Sequence, residues 1–472
     1  MKNSLRFMLP VALFALGTAA ASADEFVVDG LRYSTLDDNT VTVKKYVEGT
    51  DIVIPAKVTD PETSTEYSVV QVERQAFYNT TDVKTVSIPS SVKKIDTYAF
   101  WKCGAETVTI AEGLEGIGHA AFKECKNLKN INLPSTLTEL GYMWDVTGND
   151  GSVFVGCTAL ESIDIPGSVE HLPQLTFSEC TNLKNVTLHE GTVSIGEHAF
   201  GSCSALQGVE MPMSVESWDR GIFDKSGVVS PVIPGRIKII PNSAFWYCKN
   251  MTSFTIEEGI EEVGKSSFAD VGPITEIKVP NSVEWVRSDA FQGNGAVKKV
   301  YLGSGVRRMG HACLAVWVPD QATNTPQWVL EEIHIASPVP PVHEQNDEHF
   351  EQVADDFFFG GKEFTDELRT QFYSEVKLYV PADAVDAYKA ADIWREFVNV
   401  LPESKQDGIE GIAAEGDLNI ECGIARAAGA IEVYTVSGVR VAAAQAEFDL
   451  NTLGKGLYIV KSGNKSLKTV VK

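Results

Sequence analysis

Residues 177–200 read FSECTNLKNVTLHEGTVSIGEHAF, and the same order of residue types returns along most of the chain. Phe177 is followed by Cys180, Leu183, the triplet Val186-Thr187-Leu188, Gly191, Ile195 and the next pair, Ala199-Phe200. Equivalent phenylalanines stand at 77, 100, 122, 154, 177, 200, 223, 245, 268 and 291, and eight of the nine separations are 22 or 23 residues. A fixed period of this length marks a solenoid, in which each unit leans on its neighbours.

Each triplet alternates apolar, polar, apolar. That sends its outer side chains into the core and its middle one out. Three residues are too few for a free strand, so the triplets are expected to pair coil on coil in one long parallel sheet. Pro89, Pro134, Pro166, Pro212 and Pro280 end these strands, since proline cannot donate to the ladder. A second apolar pair per coil, such as Val92 and Ile95 or Val283 and Val286, is the expected return side. The middle residues then line up as an outward ribbon: Ser87, Thr109, Asn132, Asp164, Thr187, Glu210, Thr255, Lys278, Tyr301, His334 and Tyr379. Extended solenoid faces bind ligands, so this ribbon is the candidate ligand-binding face. Cys103, Cys125, Cys157, Cys180, Cys203 and Cys248 share the place three residues after a phenylalanine. They read as inward-facing small hydrophobes, although bridges between neighbouring coils stay open for an exported chain.

The period breaks in two places. The separation from Phe122 to Phe154 is 32 residues, and the insertion at 142–152 carries Trp144, Asn149 and Asp150, a candidate binding loop. Beyond Leu314 the pattern loosens into the acidic, aromatic stretch 343–361. His343 and His349 stand six residues apart there, too far for the four-residue spacing of a helical metalloprotease motif, and the stretch reads as a solvated loop. Regularity returns at Leu378-Tyr379-Val380-Pro381. A helical pattern over 381–397, with Val385, Tyr388, Trp394 and Phe397 on one face, reads as a C-terminal cap.

At the N-terminus, Lys2 and Arg6 precede an apolar run and Ala21-Ser22-Ala23, the pattern of a cleaved leader over 1–23. The mature chain would keep 38 of the 40 basic residues against 64 acidic ones, deepening the net charge from −24 to −26. Such a surface repels phosphate backbones and anionic lipid. Residues 24–74 read as an N-terminal β cap, 75–401 as the solenoid with its cap, 402–411 as a linker and 412–472 as a small β-domain with a turn at Ser437-Gly438. No phosphate loop, nucleophile elbow or Cys/His zinc spacing occurs, and no span long enough for a membrane follows the leader. The reading is therefore a non-enzyme with no catalytic residue, cofactor or metal assigned.

The unit Ala-Phe-x-x-Cys-x-x-Leu-x-x-Ile-x-Leu-Pro-x-Ser-Val, clear at residues 121–140 and 244–263, resembles the BspA-like leucine-rich-repeat family of bacterial surface proteins. The likeness spans residues 75–401. It implies a mainly β leucine-rich-repeat solenoid and a role in adhesion or ligand binding, in some members to host matrix proteins or other bacteria. The tail, with Val433-Tyr434-Thr435-Val436-Ser437-Gly438 and Gly456-Leu457-Tyr458-Ile459-Val460-Lys461, resembles type IX secretion sorting domains. That implies outer-membrane export and surface attachment. The resulting expectation is a secreted or cell-surface protein that binds extracellular protein or glycan. The alternative is a structural spacer or envelope scaffold without a specific ligand.

Overall fold

A computed structural model describes residues 24–142, 151–343, 356–359, 364–403 and 419–471, apart from residues 38 and 323 and the short stretches 422–423, 436–439, 454–455 and 463–464. Each coil supplies a front strand from its triplet and a back strand from its return pair. In the front strands Thr85–Ile88, Thr107–Ile110, Ser162–Ile165 and Asn185–Leu188 the apolar pair is buried and the middle residue exposed. They pair in parallel and in register, Ser87 beside Thr109 and Asp164 beside Thr187. The back strands, such as His171–Leu172, Ser194–Ile195 and Ser217–Trp218, pair likewise. The return pair therefore builds a second sheet.

The phenylalanines close the third side. From Phe77 to Phe291 successive rings stack at 4.7–5.8 Å and within 1–16° of parallel. Their backbone amides form a further ladder, as where Phe177 donates to Ala199 O at 2.8 Å and Phe200 to Ile222 O at 3.0 Å. Burying one ring contributes roughly 1.5–3 kcal/mol, and each stacked pair adds about 0.5–1.5 kcal/mol. Leu314 and then Phe358 continue this position, since Phe291 donates to Cys313 O and Leu314 to Phe357 O.

Turning the chain this tightly needs left-handed backbone on both sides of the ring. Leu175 and Glu179 flank Phe177 at φ 57° and 64°, and His198 and Ser202 flank Phe200 at 52° and 59°. Only three of these sites, Gly156, Gly221 and Gly293, hold glycine. Each non-glycine residue there costs roughly 1–2 kcal/mol, which the stacking offsets.

The seven described cysteines are buried free thiols. Cys125, Cys157, Cys180, Cys203 and Cys248 donate to the carbonyl of the phenylalanine one coil earlier, at 2.9–3.1 Å. In the last regular coil Asn294 takes over, its Nδ2 donating to Phe268 O at 2.9 Å. Burial pushes the Cys103 thiol up to about 11 and those of Cys203 and Cys248 up to about 12.

Neither sheet is continuous, contrary to the single long sheet expected. Among the described residues the front sheet is interrupted between 131 and 162, 188 and 232, and 256 and 276, and the back sheet between 142 and 171 and between 218 and 239. The first break accompanies the 32-residue coil. The second has a steric cause. Where other coils carry Ile95, Leu172, Ile195 or Ile240 inside the back strand, this one carries Trp218. Its indole meets Phe223 at 6.0 Å and 89° and Phe245 of the following coil at 6.2 Å and 76°. An indolyl side chain needs more room than the branched butyl group of leucine or isoleucine, so the coils part. Arg236 crosses the opening, donating to Val215 O, Met211 O and Pro212 O at 2.9–3.1 Å. Val209-Glu210-Met211 consequently forms no strand. Conversely, the unanticipated pair Val232–Ile233 does, beside Thr255–Ile256.

At the N-terminal end, Glu25–Val28, Leu31–Thr35 and Thr40–Tyr46 run antiparallel and join the back sheet through Glu66–Val72, while Asp51–Val53 starts the front sheet. At the other end helix Asp366–Glu375, unforeseen in the sequence, packs near Asp356–Phe359. That part of the expected solvated loop is instead buried: Asp356 is held by Arg369 and Tyr373, and burial pushes its carboxyl up to about 6. The pattern over 381–397 yields two short pieces, Val385–Ala390 and Trp394–Glu396, with a left-handed Ile393 between them. Tyr388 and Trp394 anchor them on Ser337 O and Pro341 O. Strands within 419–471 form a five-stranded antiparallel sheet around Ala425, Ile431, Val433, Leu450 and Val460.

Phe177→Ala is expected to lower the unfolding free energy by about 3–5 kcal/mol, whereas Ser202→Gly relieves a left-handed residue and raises it by about 1 kcal/mol; urea titration followed by circular dichroism checks both. With Cys422 replaced by serine, the seven remaining thiols should resist a thiol reagent at about pH 8 in the native protein and react in denaturant. Because the unfolded thiols ionise near 9 and folded Cys203 and Cys248 hold their protons to about 12, stability should fall as pH rises above 9.

Candidate ligand-binding face

The front ribbon is real but uneven. Ser87, Thr109, Asn132, Asp164, Thr187, Glu210, Thr255 and Lys278 are exposed, Tyr301 and Tyr379 half-buried and His334 buried. Strand register adds three apolar members: Val53 beside Ser87, Val232 beside Thr255 and Leu401 beside Tyr379. Val53 is 70% exposed and Val232 57%, so the ribbon is less polar than its triplets imply. Glu210 lies off any strand because of the break beside Trp218.

The sheet opening between Asn130–Ile131 and Ser162–Ile165 forms a cleft of about 470 Å³ across the ribbon. Asn132, Asp164 and Thr187 line it, joined by Glu112, Ser135, Asn185 and His189 over a floor that includes Ile131 and Ile163. Asn132 ends its own strand. Its side-chain amide accepts from Ile110 N at 2.8 Å and donates to Ile110 O at 2.7 Å, standing in for the next peptide unit. His189 Nε2 lies 2.6 Å from Asp164 Oδ1. Glu112 accepts from the amide and hydroxyl of Ser135, which hold its carboxyl below the usual range. A related clasp recurs where Glu190 accepts from the amides of Met213 and Ser214 and Glu258 from those of Asn281 and Ser282; the serine of the repeat's Pro-x-Ser serves separately, its hydroxyl accepting from Gly191 or Gly259 and donating to Thr192 O or Ile260 O. A smaller hollow continues the cleft past Thr109, Lys129 and Ser162.

The ribbon's far end differs in kind. His334 is sandwiched between Tyr301 and Tyr379, both at 4.7 Å. Its Nδ1 is 3.1 Å from Glu403 Oε2 and its Nε2 3.4 Å from Glu332 Oε2. Adjacent rungs lie about 4.8 Å apart, so three rings at one register close on each other, and the central one cannot meet a ligand. Among the ribbon candidates, His334 is therefore a packing residue.

Trp144, Asn149 and Asp150 lie outside the described residues, as do the acidic residues around His349 and the turn at Ser437-Gly438. Sequence reasoning missed His189, Glu112 and Ser135. Simple alternation from Thr187 would have found His189. The Glu112–Ser135 clasp spans 23 residues, one period, and was visible only as a repeat-to-repeat pairing.

The family model described as the BspA type leucine rich repeat region matches in six copies over residues 60–144, 146–229 and 219–317. Among solved structures, a leucine rich cell surface protein from Faecalibacterium prausnitzii is 22% identical with a TM-score of 0.39, over 68% of this chain and 96% of its own. The pneumococcal vaccine antigen PcpA is 19% identical with a TM-score of 0.43, over 81% and 99%. A leucine-rich repeat protein from Bacteroides ovatus is 19% identical with a TM-score of 0.36, over 66% and 94%. No curated protein matches the chain.

Asn132→Leu should cost about 1 kcal/mol in unfolding free energy by stripping Ile110 of both partners, and hydrogen exchange should show faster exchange of the Ile110 amide.

Proposed function

Because the chain belongs to the BspA-type leucine-rich-repeat family, we propose that it is a secreted or cell-surface, non-enzymatic protein whose front ribbon binds extracellular protein or glycan. The cleft at Asn132, Asp164, Thr187 and His189 carries this reading. Its volume falls within the roughly 300–1,000 Å³ of ligand pockets, and it is open along the ribbon. Its lining offers amide, hydroxyl, imidazole and carboxylate groups, with no lysine or arginine among the residues around the main cleft. Glu112 and Asp164 disfavour phosphate, sulfate or sialic acid. Neutral sugar hydroxyls and peptide amides suit the same groups, and the apolar floor accepts the face of a sugar ring or a small side chain.

In this reading residues 1–23 are the export leader, 24–74 the cap over the first coil, 75–401 the binding solenoid and 402–411 a linker. Residues 412–472 are the sorting domain that carries the protein through type IX export to the cell surface. In this reading Trp144, Asn149 and Asp150 supply further ligand contacts. No helix among the described residues is long and apolar enough to cross a membrane.

Panels of matrix proteins and of neutral and acidic glycans, presented to the immobilised full chain, test the binding role. Capture should persist in high salt and fall at least about tenfold in the double variant Asp164→Lys, Thr187→Trp. Unchanged capture by that variant removes the cleft from the mechanism, and no capture in any panel supports the spacer. Deleting 412–472 should release the protein from cells; unaltered localisation sinks the sorting role.

A further inference from the structure

The joint beside Trp218 opens a second front-face cleft of about 550 Å³, separate from the one at Asp164. Its floor is core: Trp218, Phe223 and Val228. One wall is the segment 207–211 and the other is Pro231, Val232 and Pro234. Among the described residues the amides of Gly208, Val209, Glu210 and Met211 donate to no acceptor. Neither flanking strand, Asn185–Leu188 or Val232–Ile233, pairs with this segment. The buried indole Nε1 of Trp218 also has no hydrogen-bond partner. An apolar floor beside a run of four free amides is an arrangement from which an added strand gains: its main chain pairs with that run while alternate side chains reach the floor. The rim fixes the charge of the guest. Glu210 and Glu257 line it against Arg236, whose guanidinium keeps its charge while donating to three backbone carbonyls, so the rim is net acidic by one charge.

We propose that this joint is a strand-addition slot for an extended segment of a partner protein, with apolar residues at alternate positions and basic residues between them. It goes beyond the ribbon reading and uses none of the residues of the cleft at Asp164. Trp218 is the wedge that keeps the slot open.

Three capped hexapeptides probe the full-length protein: alternating lysine and valine, alternating glutamate and valine, and the lysine–valine peptide N-methylated at alternate bonds. The lysine–valine peptide should slow hydrogen exchange at 208–211 and bind at least about tenfold more tightly than the other two by calorimetry. Trp218→Ile installs the residue type of neighbouring coils; it should slow exchange at 208–211 without peptide and abolish binding. Glu210→Lys, at an exposed position, should turn the preference toward the glutamate–valine peptide with the melting temperature unchanged. Equal binding of the N-methylated peptide would mean charge alone and overturns the slot. So would unaltered exchange at 208–211 with peptide up to millimolar concentration, or wild-type binding by Trp218→Ile. Peptide binding that survives in the Asp164→Lys, Thr187→Trp variant separates this site from the ribbon cleft, whichever of the two fails.

Discussion

Parallel phenyl rings set the rise of this molecule. Their separation of 4.7–5.8 Å overlaps the strand-to-strand distance of about 4.8 Å, so one step per coil serves aromatic stacking on one side and hydrogen bonding in both sheets. A single coil contributes one ring and a few strand residues, too little to stand alone, and stability is a property of neighbours. The long coil shows how firmly the step is held. Despite its extra residues, Phe122 and Phe154 still stack at 5.5 Å and 9°. The ring column keeps its step, and it is the sheets that part.

Uniformity in the core and irregularity on the surface follow from the same constraint. Backbone strain at the left-handed residues beside each ring is a repeated cost offset by repeated stacking. Where a coil departs from the pattern, the rings keep their step and the sheets separate, once at the long coil and again at Trp218. Both clefts of the front face lie at these departures. Beyond both clefts, the aromatic end of the ribbon presents side chains that are already engaged, as His334 is with its tyrosines and glutamates.

Much of the fold was legible because the period repeats ten times and each position reports the same environment each time. Phe177, Cys180, Leu183, Val186 and Ile195 are all buried, as alternation and spacing required. What sequence could not show was volume. Trp218 and Ile195 both count as apolar in a pattern, yet only the larger one splits the sheets. A pattern also hides partners one period away, so the Glu112–Ser135 clasp and the Asp164–His189 contact were invisible residue by residue. Tyr301, His334 and Tyr379 looked like an aromatic end to a binding ribbon. At strand spacing, such rings satisfy one another first.

The thiol column has a consequence in time. Each cysteine is covered between the previous coil, whose carbonyl it reaches, and the next, the carbonyl contact spanning 25–35 residues of chain for Cys125 to Cys248. Contacts this local form quickly, so a chain emerging from its N-terminus can seal its sulfurs one by one, in the order they appear. In an oxidising compartment that order matters. The exposure of each thiol to mispairing ends once the following coil has docked over it and does not wait for completion of the fold.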